Sequence, residues 1–89
     1  TPTEFSISPA YPNPFNPVTQ MTLSLDVGSD VSMVVFNIKG QIVSTLVNEY
    51  RDAGNYDITW NASTQPSGMY FVKTMLNSQS YTQKLILLK

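Results

Sequence analysis

Six carboxylates, Glu4, Asp26, Asp30, Glu49, Asp52 and Asp57, are the acid/base candidates of this 89-residue chain beside its lysines and tyrosines. Most fall in turns or on polar faces. A glycosidase needs two carboxylates facing each other across a cleft, one with its pKa raised by burial, and nothing in this spacing suggests either condition. The chain has no cysteine and no histidine, which removes the ligands and bases of ordinary structural zinc sites, thiol nucleophiles, His-based triads, haem and iron–sulfur centres. Asp52, Asn55 and Asp57 offer oxygen donors around Gly54, the chemistry calcium prefers. The Asp-x-Asx-x-Asx-Gly spacing with a closing Glu is absent, however, and Asp, Asn and Gly are what a solvated β-loop contains. A Ser–Lys nucleophile pair has the same weakness, because Ser and Thr also suit strand surfaces. No catalytic residue, metal or cofactor is therefore expected.

Three other groups of residues carry binding chemistry. Trp60 with Tyr56, Tyr70, Phe71 and Tyr81 is the material of a sugar-stacking platform, but Trp60 shares a strand face with Tyr56 and Ile58, so burial is expected. Tyr11, Tyr50 and Tyr81 are the expected surface aromatics. In Tyr11-Pro12-Asn13-Pro14-Phe15-Asn16-Pro17, three prolines lack backbone donors and the asparagines can close local turns, which makes a stiff connection. Its expected role is a rigid crossover between sheets with Phe15 plugging one end of the core; a partner-binding polyproline segment is the alternative. The last stretch, Tyr81 to Lys89, ends in four consecutive apolar residues and a lysine. Such a strand either pairs deep in a sheet or forms an edge open to strand addition or to a second copy.

These residues must be positioned by strands. No segment of useful length has helical period, whereas apolar and polar residues alternate in short runs between turn residues. Phe5 and Ile7 open a first strand, and the prolines from Pro9 to Pro17 force an extended connection. Thr19 to Val27 alternates, and Gly28-Ser29-Asp30 turns. Val31 to Ile38 is apolar on both faces, which predicts a central strand covered on both sides. Lys39-Gly40 makes a hairpin turn, Gln41 to Val47 a strand, and Asn48 to Gly54 a loop whose Gly54 supplies a positive φ. Tyr56, Ile58 and Trp60 alternate, Asn61 to Gly68 is a loop, and Met69 to Leu76 is a strand. Asn77-Ser78-Gln79-Ser80 turns into the last strand, Tyr81 to Leu88. About seven short strands predict an all-β, immunoglobulin-like antiparallel sandwich, with a small open barrel as the rival.

Composition narrows the partners. A chain this short buries roughly 60–65% of its unfolded surface, enough for one thin core without a deep substrate cavity. Net charge is −1 with 12% charged residues and no basic cluster, so neither nucleic acid nor a small-molecule substrate is expected. No apolar run approaches the ~20 residues of a membrane span. The sequence begins at Thr1 rather than at methionine, so residues 1–89 are expected to be a single domain cut from a longer chain or a processed product.

Four segments, taken in order, resemble a single family: Tyr11 to Pro17, Phe36-Asn37-Ile38-Lys39-Gly40-Gln41-Ile42-Val43, Ser67-Gly68-Met69-Tyr70-Phe71, and Gln83-Lys84-Leu85-Ile86-Leu87-Leu88-Lys89. The set is similar to the type A C-terminal sorting domain of the type IX (Por) secretion system, a family similar in turn to the immunoglobulin-like domain of the flagellar hook-capping protein. The resemblance implies an address rather than a catalyst. It implies a domain that folds in the periplasm, is read by the type IX translocon at the outer membrane of Bacteroidetes-like bacteria, and is removed by a sortase-like surface peptidase. Pro12, Asn13, Pro14, Phe15, Asn16 and Pro17 match the proline motif, Gly40 the hairpin glycine, and Gly68 and Tyr70 the Gly-x-Tyr motif. Lys84, Leu85, Ile86, Leu87, Leu88 and Lys89 match the closing motif that carries recognition, and Thr1 to Ser8 lie near the implied cleavage region. Asn37 stands where the family has Asp, which keeps a turn-forming side chain, and the loop after Trp60 is short. The alternative function is a structural or carbohydrate-binding accessory module of an extracellular enzyme.

Overall fold

The computed structural model describes residues 5–76 and 79–88. Seven strands follow in order: β1 (Phe5–Ile7), β2 (Val18–Leu25), β3 (Ser29–Asn37), β4 (Ile42–Arg51), β5 (Gly54–Asn61), β6 (Gly68–Leu76) and β7 (Gln79–Leu87). They form two antiparallel sheets, ordered β1-β2-β5 and β4-β3-β6-β7. The three-plus-four division is that of immunoglobulin-like sandwiches.

Alternation builds the layers, because successive strand residues point to opposite faces. From the first sheet Met21, Leu23, Leu25, Ile58 and Trp60 face inward, and from the second Val31, Met33, Val35, Val47, Tyr70, Val72, Leu76, Leu85 and Leu87 meet them in one continuous core. Tyr56 packs against this core from the margin, in keeping with the face it shares with Trp60.

Four local expectations change. The turn before β3 is Asp26-Val27-Gly28 rather than Gly28-Ser29-Asp30, since Ser29 already pairs with Arg51; Val27 leaves its strand and is exposed. Asn48 to Arg51 is strand rather than loop, pairing with β3 from Ser32 back to Ser29. Its polar composition misled because β4 is an edge strand, where charged and polar side chains are the norm. Gly54 keeps its positive φ of 149° but opens β5 instead of closing a loop. Finally, β3 is central, yet Ile38 lies in the hairpin turn at 71% exposure, and no third layer covers the outward side of the sheet among the described residues. The turn expected at Asn77 to Ser80 falls partly outside the described residues; Gln79 and Ser80 are in β7.

The β3–β4 hairpin shows why its turn needs these residues. Asn37 Oδ1 accepts the amides of Lys39 at 2.9 Å and Gln41 at 3.0 Å, an Asx turn that asparagine closes as well as aspartate does. Gly40 then has φ 84°, a left-handed conformation that costs other L-residues roughly 1–2 kcal/mol.

Candidate recognition site at the last strand

The closing motif divides by parity along β7. Leu85 and Leu87 point inward and are fully buried, while Lys84 and Leu88 are exposed and Ile86 is half-buried on the outward side. Lys89 lies outside the described residues. In a folded chain, therefore, Leu85 and Leu87 hold the sandwich together, and among the described residues of the motif Lys84, Ile86 and Leu88 are the ones with side chains on the outward side. Among the described residues, the outward side of the closing motif offers one cation, Lys84, followed by the apolar Ile86 and Leu88.

The strand's backbone edge is also largely taken. The first strand breaks after β1 and continues on to Tyr11, which exchanges hydrogen bonds with Gln20 at 2.8 and 3.1 Å. The proline motif then crosses to the other sheet, where Phe15 donates its amide to the Ile86 carbonyl and accepts from the Leu88 amide, both at 2.9 Å. Asn13 imitates a further strand residue: its side-chain amide donates to the Lys84 carbonyl and its Oδ1 accepts the Ile86 amide, each at 3.0 Å. Gln83 adds a third tie by accepting the Ala10 amide at 2.9 Å. Among the described residues of β7, the outward-facing edge groups left over are those of Ser80 and Thr82 and the amide of Lys84, so strand addition along the described part of the closing motif requires the proline loop to leave.

The proline motif thus has the crossover role its stiffness suggested. Phe15 is buried to 2% exposure and its ring meets Trp60 with centroids 5.6 Å apart. Pro12, Asn13, Pro14 and Asn16 are exposed, with Pro17 intermediate; the Tyr11–Pro12, Asn13–Pro14 and Asn16–Pro17 peptide bonds are cis. Thr19, itself buried, donates its hydroxyl to the Pro12 carbonyl at 2.8 Å, and Ala62 donates its amide to Pro17. Replacing Asn13 by Ala deletes two edge bonds at once. Loosening by about 1–2 kcal/mol is expected, together with faster hydrogen exchange at the Ile86 amide, which mass spectrometry or NMR would read.

The Gly-x-Tyr motif closes the same end of the core. Tyr70 is buried, meets Trp60 edge-on at 5.3 Å, and donates its hydroxyl to the Pro66 carbonyl at 2.6 Å. A buried tyrosine near the start of this strand, bonded four residues upstream, is the tyrosine corner of immunoglobulin-like domains. Gly68, at φ 154°, begins the strand two residues earlier. Tyr70→Phe leaves the ring packing and orphans a carbonyl, so a stability loss of about 1–2 kcal/mol is expected in urea denaturation.

The remaining candidates are scattered. Trp60 is 4% exposed and belongs to the core, while Tyr11, Tyr50 and Tyr81 are exposed on three separate elements and form no common platform. Asp57 accepts a hydrogen bond from the Thr22 hydroxyl at 3.1 Å, and the Asp52 carbonyl takes the Tyr56 hydroxyl. No three acidic side chains gather into a metal-holding group among the described residues. Sequence reasoning missed Gln83, whose side chain reaches back to residues 8 and 10; its contact depends on register across 73 positions and leaves no local signal.

No curated protein gives a significant match to the chain. A family model described as the secretion system C-terminal sorting domain matches residues 9–88. That span contains the crossing proline loop, the hairpin glycine, the tyrosine corner and the whole described part of the closing strand. The chain belongs to the family of C-terminal sorting domains, signals for type IX secretion that imply export to the cell surface or beyond.

Proposed function

We propose that the type IX translocon reads this domain in its folded form, through the outward side of β7, while the parent protein passes from the periplasm across the outer membrane. Lys84, Ile86 and Leu88, with Lys89 after them, are the contacts. Leu85 and Leu87 act indirectly by fixing the strand on which those side chains stand. A sortase-like surface peptidase then cuts ahead of β1, near Thr1 to Ser8, and the domain itself performs no chemistry. The observation that carries this reading is the division of the closing motif into a fully buried half and an exposed half. A folded reader can touch only what is exposed, and one motif here serves both folding and display.

The test is a secreted reporter fused to the 89 residues in a bacterium with a type IX system, beside Lys84→Glu and Leu88→Asp versions. Both substitutions sit on the exposed side, so thermal denaturation of the purified fusions should stay within a few degrees of the parent. Export is expected to fall at least tenfold while the reporter accumulates in the periplasm. Mass spectrometry of the exported reporter should find its new C-terminus before β1. Unchanged export of both variants sinks the contact assignment, and a surface reporter that keeps the domain sinks the cleavage.

A further inference from the structure

The two outward faces of the sandwich are unlike each other. On the three-stranded sheet Gln20, Thr22 and Ser24 face Asn55, Asp57 and Thr59, with Val18 the apolar exception at one end. That is the usual arrangement for an antiparallel sheet with one solvated side. On the four-stranded sheet the register instead lines up Ile42, Phe36, Phe71 and Lys84 across all four strands, with Met69 opposite Ile86 in the neighbouring row. Ile42 is 63% and Met69 37% exposed, and Phe36, Phe71 and Ile86 are half-buried. Contiguous apolar surface of this kind marks an interaction site, and aromatic and Met side chains are the types enriched in such sites.

Charge identifies what fits. Lys73 stands opposite Val34, and Lys84 opposite Phe71, so two cations lie within the apolar patch or at its margin. Among the described residues no carboxylate pairs with either; the ion pair present joins Arg51 to Glu49 at 3.3 Å. The nearest acid on this outward face by register, Asp30, is four residues along β3 from Val34 in the Lys73 row and six from Phe36 in the Lys84 row, about 13 and 20 Å at ~3.3 Å per residue. Glu49 pairs with Val31 one row nearer, but on the inward parity of the edge strand and beside Arg51, while Asp26 and Asp52 lie past that end and Asp57 is on the other sheet. A second copy is a poor occupant, because a two-fold interface presents the same patch twice and would set Lys73 and Lys84 against their own kind. The geometry points to the outward face of the β4-β3-β6-β7 sheet as a docking surface for a protein with an apolar centre flanked by carboxylates. This rests on the sorting reading, in that the partner is the machinery that reads the domain, and it extends the contact from one strand to a whole sheet face.

The experiment uses the same reporter fusion with three changes. Ile42→Lys alters an exposed side chain on β4, far along the sheet from the closing motif, and Lys73→Glu reverses a cation outside it. Gln20→Lys with Asn55→Lys, which are not paired with each other, places comparable changes on the polar sheet as a control. Unaltered circular dichroism and denaturation midpoints should accompany all three. Ile42→Lys and Lys73→Glu are each expected to cut export at least fivefold, with the control unchanged. If the parent fusion is exported and both variants match it, the face proposal is overturned while the sorting reading survives; if the parent itself is retained, the sorting reading fails first and the face loses its partner. Sedimentation of the free domain at about 100 μM is expected to show a monomer. A dimer that Ile42→Lys dissociates would give the face to a second copy and overturn the proposal as well.

Discussion

Phe15→Ala is expected to lower the stability of the domain by about 3–5 kcal/mol, the range for truncating a fully buried aromatic. For 89 residues, typical totals are roughly 4–13 kcal/mol, so this one side chain carries from about a quarter to the whole of the domain's stability. The effect should exceed that of a core position of equal size because the residue does two things. Its ring fills the end of the core against Trp60, and its backbone holds the outer edge of β7 through Ile86 and Leu88. Losing the ring removes the anchor that keeps the loop beside the strand. Urea denaturation measures the first effect, and hydrogen exchange at the Leu88 amide, which donates to Phe15, measures the second. A loss below about 1 kcal/mol with Leu88 still protected would mean that the crossing loop is held by its prolines and asparagines alone.

Ending the chain at Ser80 is expected to abolish folding. The deletion takes Leu85 and Leu87 out of the core and Gln83 away from Ala10, and it leaves the β6 backbone without its partner from Gly68 to Thr74. Each buried leucine alone accounts for about 2–5 kcal/mol when truncated, and the two together approach or exceed the whole stability of a chain this size. The truncated chain should show no cooperative unfolding transition by circular dichroism. Retention of a cooperative melt would show that the sheet is complete without β7. The consequence for function is direct: failure of such a truncated fusion to be exported reports lost folding as much as lost recognition. Substitutions on the outward side of β7 separate the two, since Lys84 and Leu88 contribute little to the core.

How much of this was visible in the amino acids depends on how local the determinants are. The alternation of Met21, Leu23 and Leu25, or of Ile58 and Trp60, is a period of two that needs no partner to be read, and it led to the strands, the sandwich and the buried tryptophan. The prolines and asparagines of residues 11–17 likewise announce a stiff crossing, because their restrictions are intrinsic. Polar edge strands are different. Asn48, Glu49 and Tyr50 look like a loop because their pairing with β3 leaves no mark in their own composition. The apolar residues on both sides of β3 imply coverage on both sides, yet the two layers formed by the described residues leave the second side of β3 uncovered. That mismatch between apolar pattern and available layers is itself a signal, and it is the one that exposes the docking face. In the site, parity along residues 84–88 was readable from the strand assignment, whereas the capture of that strand's edge by Asn13 is a contact between distant positions and emerges only in three dimensions.

The central claim is that this domain, folded, is sufficient to send an attached protein through the type IX system. The most direct measurement is export of a reporter carrying the intact 89 residues in two otherwise identical hosts, one with a working type IX translocon and one without it. The account predicts reporter at the cell surface or in the medium of the first host and folded fusion held in the periplasm of the second. Folded fusion retained in the periplasm of both hosts would contradict it.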